Sequence, residues 1–220
     1  MKTRMTALLL SVLLILSLAA CAGSAADPAE TPQPETKTTQ NPQENTAGDT
    51  ADTAANTAAD PVASKVLVVY FSATGTTKGV AEKIAKITNA DLYEIKPAQA
   101  YTSADLDWND RSSRSTKEQN DKSARPEIAS ETLSLDGYTT IYIGYPIWWG
   151  EEPRIMDTFA ESYDFTGITM IPFCTSGGSG IGRSGQNLEE NAKSGNWLDG
   201  TRFSGGVSES ELQSWIESVK

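Results

Sequence analysis

Apolar and polar positions along residues 65–220 recur with the spacings of buried strands and amphipathic helices. Lys65–Phe71 is an almost continuous apolar run, which predicts a strand buried on both faces. In the next segment the apolar side chains return at the spacing of one helical face, which predicts a helix over residues 78–88. Further apolar runs predict strands over residues 91–95, 138–145, 168–174 and 197–203.

The polar stretches between these strands carry the remaining helix signals. The long stretch after the second strand predicts only one helix, over residues 110–120. Residues 153–162 predict the next helix, and a final helix begins at Ser208, whose partner in a capping box is Glu211. Strands alternate with helices along the segment. This order predicts an α/β domain built on a doubly wound, parallel sheet of five strands with helices on both faces.

The N-terminus has the layout of a secretory signal. Lys2 and Arg4 precede an apolar run from Met5 to Ala20. As a helix this run would be about 24 Å long, short of the bilayer's hydrocarbon core of about 30 Å. A cleaved signal is therefore favoured over a membrane span.

The residues Leu18-Ala19-Ala20-Cys21 resemble the lipobox of bacterial lipoproteins. The resemblance implies that a diacylglyceryl group is transferred to the sulfur of Cys21 and that the chain is cleaved before this residue. Residues 1–20 would then be a lipoprotein signal peptide. The alternative is an ordinary signal peptide that leaves Cys21 as a free thiol.

Residues 21–64 change in composition to Ala, Thr, Asp, Glu, Gln and Pro and contain no aromatic residue. Several acidic residues accompany a single basic one, Lys37. Because such a segment has little apolar surface to bury, it is predicted to be a disordered tether. Its r.m.s. reach of roughly 35 to 40 Å would hold the folded domain, residues 65–220, clear of a bilayer.

Three polar, glycine-containing loops each follow a predicted strand. The first loop, residues 72–77, directly precedes a predicted helix, so its hydroxyls and backbone N–H groups face any ligand that lies at the helix N-terminus. A phosphate is the natural ligand at such a place. In the second, residues 146–150, Trp148 and Trp149 offer the edges and faces of their indoles to a planar aromatic ligand. In the third, residues 175–180, glycines allow backbone N–H groups to approach a ligand closely.

The segments YFSATGTTKGVAEKI, GYPIWWGEEP and FCTSGGSGIG together resemble the flavodoxin-like superfamily, in particular its short bacterial proteins with a lipoprotein anchor. The resemblance covers nearly all of residues 65–220. It implies strand order 2-1-3-4-5 with FMN at the carboxyl ends of the strands. It also implies that Trp148 or Trp149 lies at the edge or face of the isoalloxazine ring and that the third loop lies at the pyrimidine side of the flavin. FMN is expected rather than FAD because the first loop suits a terminal phosphate. The cofactor-binding residues are expected to be Ser72, Thr74, Gly75, Thr76, Thr77, Pro146, Ile147, Trp148, Trp149, Gly150, Thr175, Ser176, Gly177, Gly178 and Ser179.

Each loop also has an interpretation that needs no ligand. The first loop could serve only to cap its helix, and the third could be a flexible turn. Trp148 and Trp149 could form a surface interaction patch, and the sequence does not say which of them points inward. Cys174, just before the third loop, is interpreted as a small buried residue rather than a redox thiol.

The composition excludes several kinds of chemistry. The chain has 220 residues and a formal net charge of −11, which disfavours nucleic acid as a partner. It contains no His and only two Cys, so His-based triads, His metal sites, zinc sites and iron–sulfur clusters are not expected. Redox chemistry would therefore come from a cofactor, with the protein supplying position and electrostatics.

These observations predict an FMN-binding electron-transfer protein, tethered by its lipid to the outer side of a bacterial cytoplasmic membrane. Its redox donor and acceptor are expected to be membrane-associated as well. Two alternatives stay open. One is an FMN-dependent NAD(P)H:quinone, nitro or azo reductase, because the third loop resembles the corresponding loop of flavodoxin-like quinone reductases. Against it stands the expected location outside the cell, since pyridine nucleotides are expected inside. The other is a non-redox binding lipoprotein that uses the fold without cofactor.

Replacing Cys21 by Ala tests the lipid anchor. The variant lacks the sulfur that receives the diacylglyceryl group, so its precursor should stay unprocessed by the lipoprotein peptidase. Metabolic labelling with a fatty acid, followed by membrane fractionation, measures this, and Cys174→Ala is the matched control that should be labelled normally. Normal processing and membrane association of Cys21→Ala would rule the anchor out.

Overall fold

The computed structural model describes residues 64–220. The predicted signal peptide, the lipidated Cys21 and the tether lie outside the described residues, except for Ser64 at the tether's end, and stay predictions. The strands are β1 Lys65–Tyr70, β2 Asp91–Glu94, β3 Tyr138–Pro146, β4 Thr169–Thr175, β5 Asn196–Trp197 and β6 Thr201–Phe203. The helices are α1 Thr76–Thr88, α2 Arg114–Asn120, α3 Arg154–Glu161, α4 Ser184–Ala192 and α5 Glu209–Ser218.

The strands form one parallel sheet in the order β2-β1-β3-β4-β5, with β6 also paired to β4. The predicted order 2-1-3-4-5 is therefore confirmed. The strand order reverses at β1, which pairs with β2 on one side and β3 on the other. In sheets of this kind the crevice outside the carboxyl ends of the strands, at the reversal point, is where ligands bind.

Alternating residues of β1 enter two separate hydrophobic cores. Leu67 and Val69 pack on the side that holds α3 and α4, whereas Val68 and Tyr70 pack on the side of α1 and α5. Both sets are almost fully buried. The continuous apolar run of β1 thus reflects burial of both faces, as parallel strands between two helical layers require.

Three elements differ from the sequence prediction. The helix predicted over residues 110–120 begins only at Arg114, where the Ser113 side chain caps it. Helix α4 was not predicted, because its buried face consists only of Ser184, Leu188 and Ala192 and gives a weak apolar period. The predicted fifth strand over residues 197–203 is wrong as a single strand, since it is divided into β5 and β6.

Pro172 explains the division of the fifth strand. The carbonyl of Met170 in β4 accepts a hydrogen bond from the backbone N–H of Leu198, so this side of β4 faces β5. Backbone groups two residues apart in a strand point to the same side, so the backbone nitrogen of Pro172 also faces the fifth strand. Because proline has no N–H, it cannot donate a hydrogen bond to the fifth strand at this position. Gly200 lies in the resulting gap, where a Cβ would be 3.0 Å from the Pro172 carbonyl oxygen.

The final helix begins as predicted. The Ser208 side chain accepts a hydrogen bond of 3.2 Å from the backbone N–H of Glu211, which caps α5. Within residues 64–220, none of the helices is both long and apolar enough to cross a membrane.

Replacing Gly144 by Ala should destabilise the fold by about 1 to 3 kcal/mol, because the new Cβ would overlap the ring of Phe173. Phe173 is fully buried and packs edge-on against Trp215, so its ring has little room to move. Gly79→Ala is the matched control: it lies within α1 with no atom near its Cβ position, and it should stabilise by about 1 kcal/mol. Urea unfolding measures both changes, and equal stabilities of Gly144→Ala and the wild type would contradict this packing.

Candidate functional site

The first loop joins β1 to α1 through Gly75, which is in the left-handed region with φ +86°. No side chain within residues 64–220 caps this helix start. The first backbone N–H groups of α1 are therefore available at the carboxyl edge of the sheet. Thr76 is exposed, whereas Thr77 is buried and its hydroxyl bonds the hydroxyl of Thr175 at 2.8 Å. Thr77 thus connects the first loop to the third as well as lining the cleft described below.

The second loop is a tight reverse turn. The backbone N–H of Trp148 donates to the carbonyl of Glu151 at 2.9 Å, and the N–H of Glu151 donates back to Trp148 at 3.0 Å. Between them Trp149 has φ +51° and Gly150 has φ +85°. A tryptophan in the left-handed region is unusual, so the contacts around the turn must hold it there.

The two indoles of this loop have different roles. Trp148 is half-buried and packs edge-on against Phe71 and Tyr101, with ring centroids 5.6 and 5.2 Å apart. Trp149 is 46% exposed and lines the cleft. Of the two, Trp148 therefore points inward and Trp149 presents its ring toward solvent.

The third loop is tied to the fifth-strand region. The backbone N–H of Ser176 donates to Phe203, and its hydroxyl donates to the carbonyl of Ser179. The Arg202 guanidinium in turn donates to the Ser176 carbonyl at 2.7 Å. Gly178 is not in the left-handed region, and a Cβ there would meet no protein atom within 4 Å. A side chain at Gly178 would therefore extend into space that is open to solvent or ligand.

The three loops surround two adjoining cavities at the carboxyl edge of the sheet. The larger, about 400 Å³, lies between the first and second loops, and the smaller, about 360 Å³, lies between the first and third. Thr74, Thr76 and Pro146 line both cavities, which form one cleft. The predicted residues in the lining are Ser72, Thr74, Thr76, Thr77, Pro146, Ile147, Trp148, Trp149, Thr175, Ser176 and Gly177. Gly75, Gly150, Gly178 and Ser179 do not line either cavity.

A segment that sequence reasoning did not assign covers one side of the cleft. Leu106, Trp108 and Ser115 line the larger cavity together with the loop residues, which include Ala73, and Trp108 is 73% exposed. The segment is fixed by local hydrogen bonds, including Ser115 to the carbonyl of Asp105 at 2.6 Å. The signal that could have found it is an isolated tryptophan within a polar stretch.

Tyr101 connects this segment to the second loop. Its hydroxyl donates to the Glu118 carboxylate at 2.6 Å, and the Arg114 guanidinium lies 4.0 Å from its ring centroid. Burial and the nearby Glu118 raise the pKa of Tyr101 well above its ordinary value. The neutral tyrosine is therefore held as a packing support for Trp148.

A buried network of charged and polar groups supports the second loop from below. The Arg154 guanidinium bonds Glu151 at 2.6 Å and Asp157 at 3.3 Å, and it donates to the carbonyl of Gln119 at 3.2 Å. The Gln119 amide donates to the carbonyls of Trp148 and Glu152 at 3.2 and 3.1 Å. Helix α2 and the start of α3 thereby fix the residues on both sides of the turn.

The carboxyl of Glu152 is also buried in this network. Both of its oxygens accept from the Asn187 amide at 3.1 Å, and Arg154 lies 3.6 Å away. Burial, followed by the negative charge of Asp157, raises the pKa of Glu152 to about 7. A polar cavity of about 190 Å³ beside it has room for ordered water.

The fold and the cleft can be compared with known proteins. A family model for flavodoxin matches residues 65–219. The chain belongs to the flavodoxin family. None of the curated proteins matches it.

Three solved structures of proteins designated flavoproteins are similar to this chain. A Bacteroides uniformis protein designated a flavoprotein is 48% identical, with a TM-score of 0.67, over 70% of this chain and 98% of its own. A Bacteroides eggerthii protein of the same designation is 47% identical, with a TM-score of 0.67; the match covers 71% of this chain and 98% of that protein. A Lactobacillus acidophilus flavoprotein solved in complex with FMN is 26% identical, with a TM-score of 0.54; the match covers 70% of this chain and 99% of that protein.

The stability of this flavodoxin-family protein should depend on the protonation of Glu152. Because its folded-state pKa of about 7 exceeds the ordinary 4.5, the folded state holds a proton that the unfolded state releases between these values. The free energy of unfolding should therefore fall as pH rises from about 4.5 through 7, by up to about 3 kcal/mol.

Glu152→Gln removes this titration and should flatten the pH dependence of unfolding over that range. Glu189→Gln, an exposed position on α4, is the control and should leave the slope unchanged. Urea unfolding at several pH values between 4.5 and 8 measures the slope. An unchanged slope in Glu152→Gln would show that other groups bind the proton.

Proposed function

We propose that this flavodoxin-family protein binds FMN in the cleft and transfers electrons through it. The observation that carries the proposal is the convergence of three loops that are far apart in sequence. They place hydroxyl groups and a helix N-terminus beside indole rings in one cleft. This donor set suits a ligand with a phosphate at one end and a planar aromatic ring at the other.

The first loop fits the phosphate of FMN. Ser72, Thr74 and Thr76 line the cleft and offer neutral hydroxyl donors. Gly75 lines neither cavity, but a Cβ there would meet no atom within 4 Å, so the backbone at the start of α1 is not covered by other residues. The FMN complex of the Lactobacillus acidophilus relative also supports FMN as the ligand.

Bound FMN would supply one- and two-electron transfer at its ring, a chemistry that no side chain of the described residues offers convincingly. Cys174 is fully buried in β4, and burial raises the pKa of its thiol to about 12. The thiol therefore stays protonated and unreactive at neutral pH. The role of the chain's own residues is to hold the ligand: Trp148 and Ile147 form a packed wall, and Trp149 shields one side of the cleft.

The proposal includes attachment to a membrane through a lipid on Cys21, on the outer side of a bacterial cytoplasmic membrane. The lipobox-like residues before Cys21 support it. A tether of roughly 35 to 40 Å reach would keep the domain near donors and acceptors that are bound to the same membrane.

A reductase acting on quinone, nitro or azo compounds is the second candidate function. The observation in its favour is Trp108, 73% exposed at the larger cavity, where an indole offers a stacking surface for a planar acceptor. Stopped-flow reduction of the bound flavin by NAD(P)H discriminates the two functions, because an electron carrier without a nucleotide site should react slowly.

The absorbance spectrum of natively purified protein is the direct test of FMN binding. Stoichiometric bound flavin, identified as FMN after release, is the expected result. Protein that neither carries flavin nor takes up added FMN would support the non-redox alternative instead.

Placing Asp at Thr76 tests the location of the phosphate. The new carboxylate would face the phosphate dianion and should weaken FMN by about 3 kcal/mol while hardly changing riboflavin, which lacks the phosphate. Thr76→Asn has a similar shape without charge and serves as the control. Flavin fluorescence titration measures both ligands, and an equal loss for FMN and riboflavin would place the phosphate elsewhere.

A further inference from the structure

Arg202 introduces a positive charge into a cleft whose other lining residues are uncharged. It lies in β6 and lines the smaller cavity together with residues of the first and third loops. Among the described residues that line either cavity, Arg202 is the one with a charged side chain. The chain as a whole carries a net charge of −11, so the cleft contains a positive charge although the protein is acidic overall.

The structure fixes the position of this guanidinium. The backbone of Arg202 is held in register with Cys174 of β4. Its side chain donates to the Ser176 carbonyl at 2.7 Å and to the Ser176 hydroxyl at 3.3 Å. A guanidinium has five N–H donors, and within residues 64–220 the remaining three have no hydrogen-bond partner.

The same cavity contains the hydroxyl-bearing residues of the first loop. Thr74 and Thr76 line it, and Thr76 is the first residue of α1. The chain just after Arg202 packs directly on this helix start, since a Cβ on Gly205 would lie 2.7 Å from the Thr76 methyl group. Arg202 therefore shares one cavity with a helix N-terminus, whose unpaired N–H groups favour an anion.

We propose that Arg202 binds the phosphate of FMN, in addition to the neutral donors of the first loop. This inference rests on the proposed FMN function. A guanidinium offers paired N–H donors that match the oxygens of a phosphate, and its anchor on Ser176 leaves little side-chain entropy to be lost on binding. It would also offset the repulsion that an acidic protein exerts on a dianionic ligand.

Arg202→Gln tests the proposal because glutamine keeps hydrogen-bonding capacity and removes the charge. FMN affinity should fall about 10- to 100-fold, the effect of losing one charge-assisted hydrogen bond, while riboflavin affinity stays the same. Flavin fluorescence titration of the mature full-length protein at fixed ionic strength measures both. Unchanged riboflavin binding also shows that the variant is folded.

Lys78→Gln is the matched control. Lys78 lies in the first turn of α1 and is exposed, but it does not line the cleft. Lys78→Gln removes one positive charge, as Arg202→Gln does. If FMN affinity depends only on a cation inside the cleft, Lys78→Gln should change that affinity by less than about twofold. If Arg202→Gln fails to fold, Arg202→Lys replaces it, with a smaller but still FMN-selective loss expected from its altered geometry.

The outcomes separate this inference from the proposed function. Equal losses for FMN and riboflavin, or no loss for either, would overturn the role of Arg202 and leave it as an anchor of the third loop. If Thr76→Asp weakens FMN selectively while Arg202→Gln does not, the FMN function stands and only the inference fails. Wild-type protein that binds no FMN would overturn both.

Discussion

The parallel hydrogen bonding of β1, β3 and β4 is the constraint on which the candidate site depends. Parallel strands end at the same edge of a sheet, so the three loops that follow them must meet there. The ladder continues into the loops: the N–H of Ile147 donates to the Thr175 carbonyl at 3.1 Å, and the hydroxyls of Thr77 and Thr175 are bonded. These two bonds join the third loop to each of the other two, so the relative positions of the loops follow from the pairing of the strands.

The second loop is held in place by a network of buried charged groups. Arg154, Glu152 and Asp157 are all almost fully buried, and removing such charges from water is costly unless each is paired and hydrogen-bonded. Here the side-chain amide of Asn187 donates to the Glu152 carboxylate, and that of Asn191 donates to the Asp157 carboxylate. In return, the network fixes the position of a turn that holds Trp149 in the left-handed region. A buried ionic cluster thus contributes geometry to the cleft more than stability to the fold.

The sequence predicted the parallel sheet and most helix positions because burial on both faces leaves continuous apolar runs such as that of β1. The strand order was predicted only through the resemblance to the flavodoxin-like superfamily. The sequence also located most of the cleft lining, since the loops are marked by Ser, Thr and Gly at strand ends. It missed Arg202, because an arginine within a short polar strand carries no local signal of what it faces. It missed Trp108 for a similar reason: the loop around it is shaped by side-chain to backbone hydrogen bonds, which leave no periodic pattern.

The division of the fifth strand has a consequence for behaviour in concentrated solution. A long, flat edge strand offers unpaired backbone groups to a second molecule and promotes aggregation. In the described residues, β5 and β6 contribute only two and three residues to this edge, separated by the gap opposite Pro172. At the other edge β2 has four residues, and a short antiparallel bridge between Pro97 and Ile128 follows it. Both edges are thus poor templates for intermolecular strand addition, and at the β5–β6 edge a proline in the sheet interior is what shortens the template.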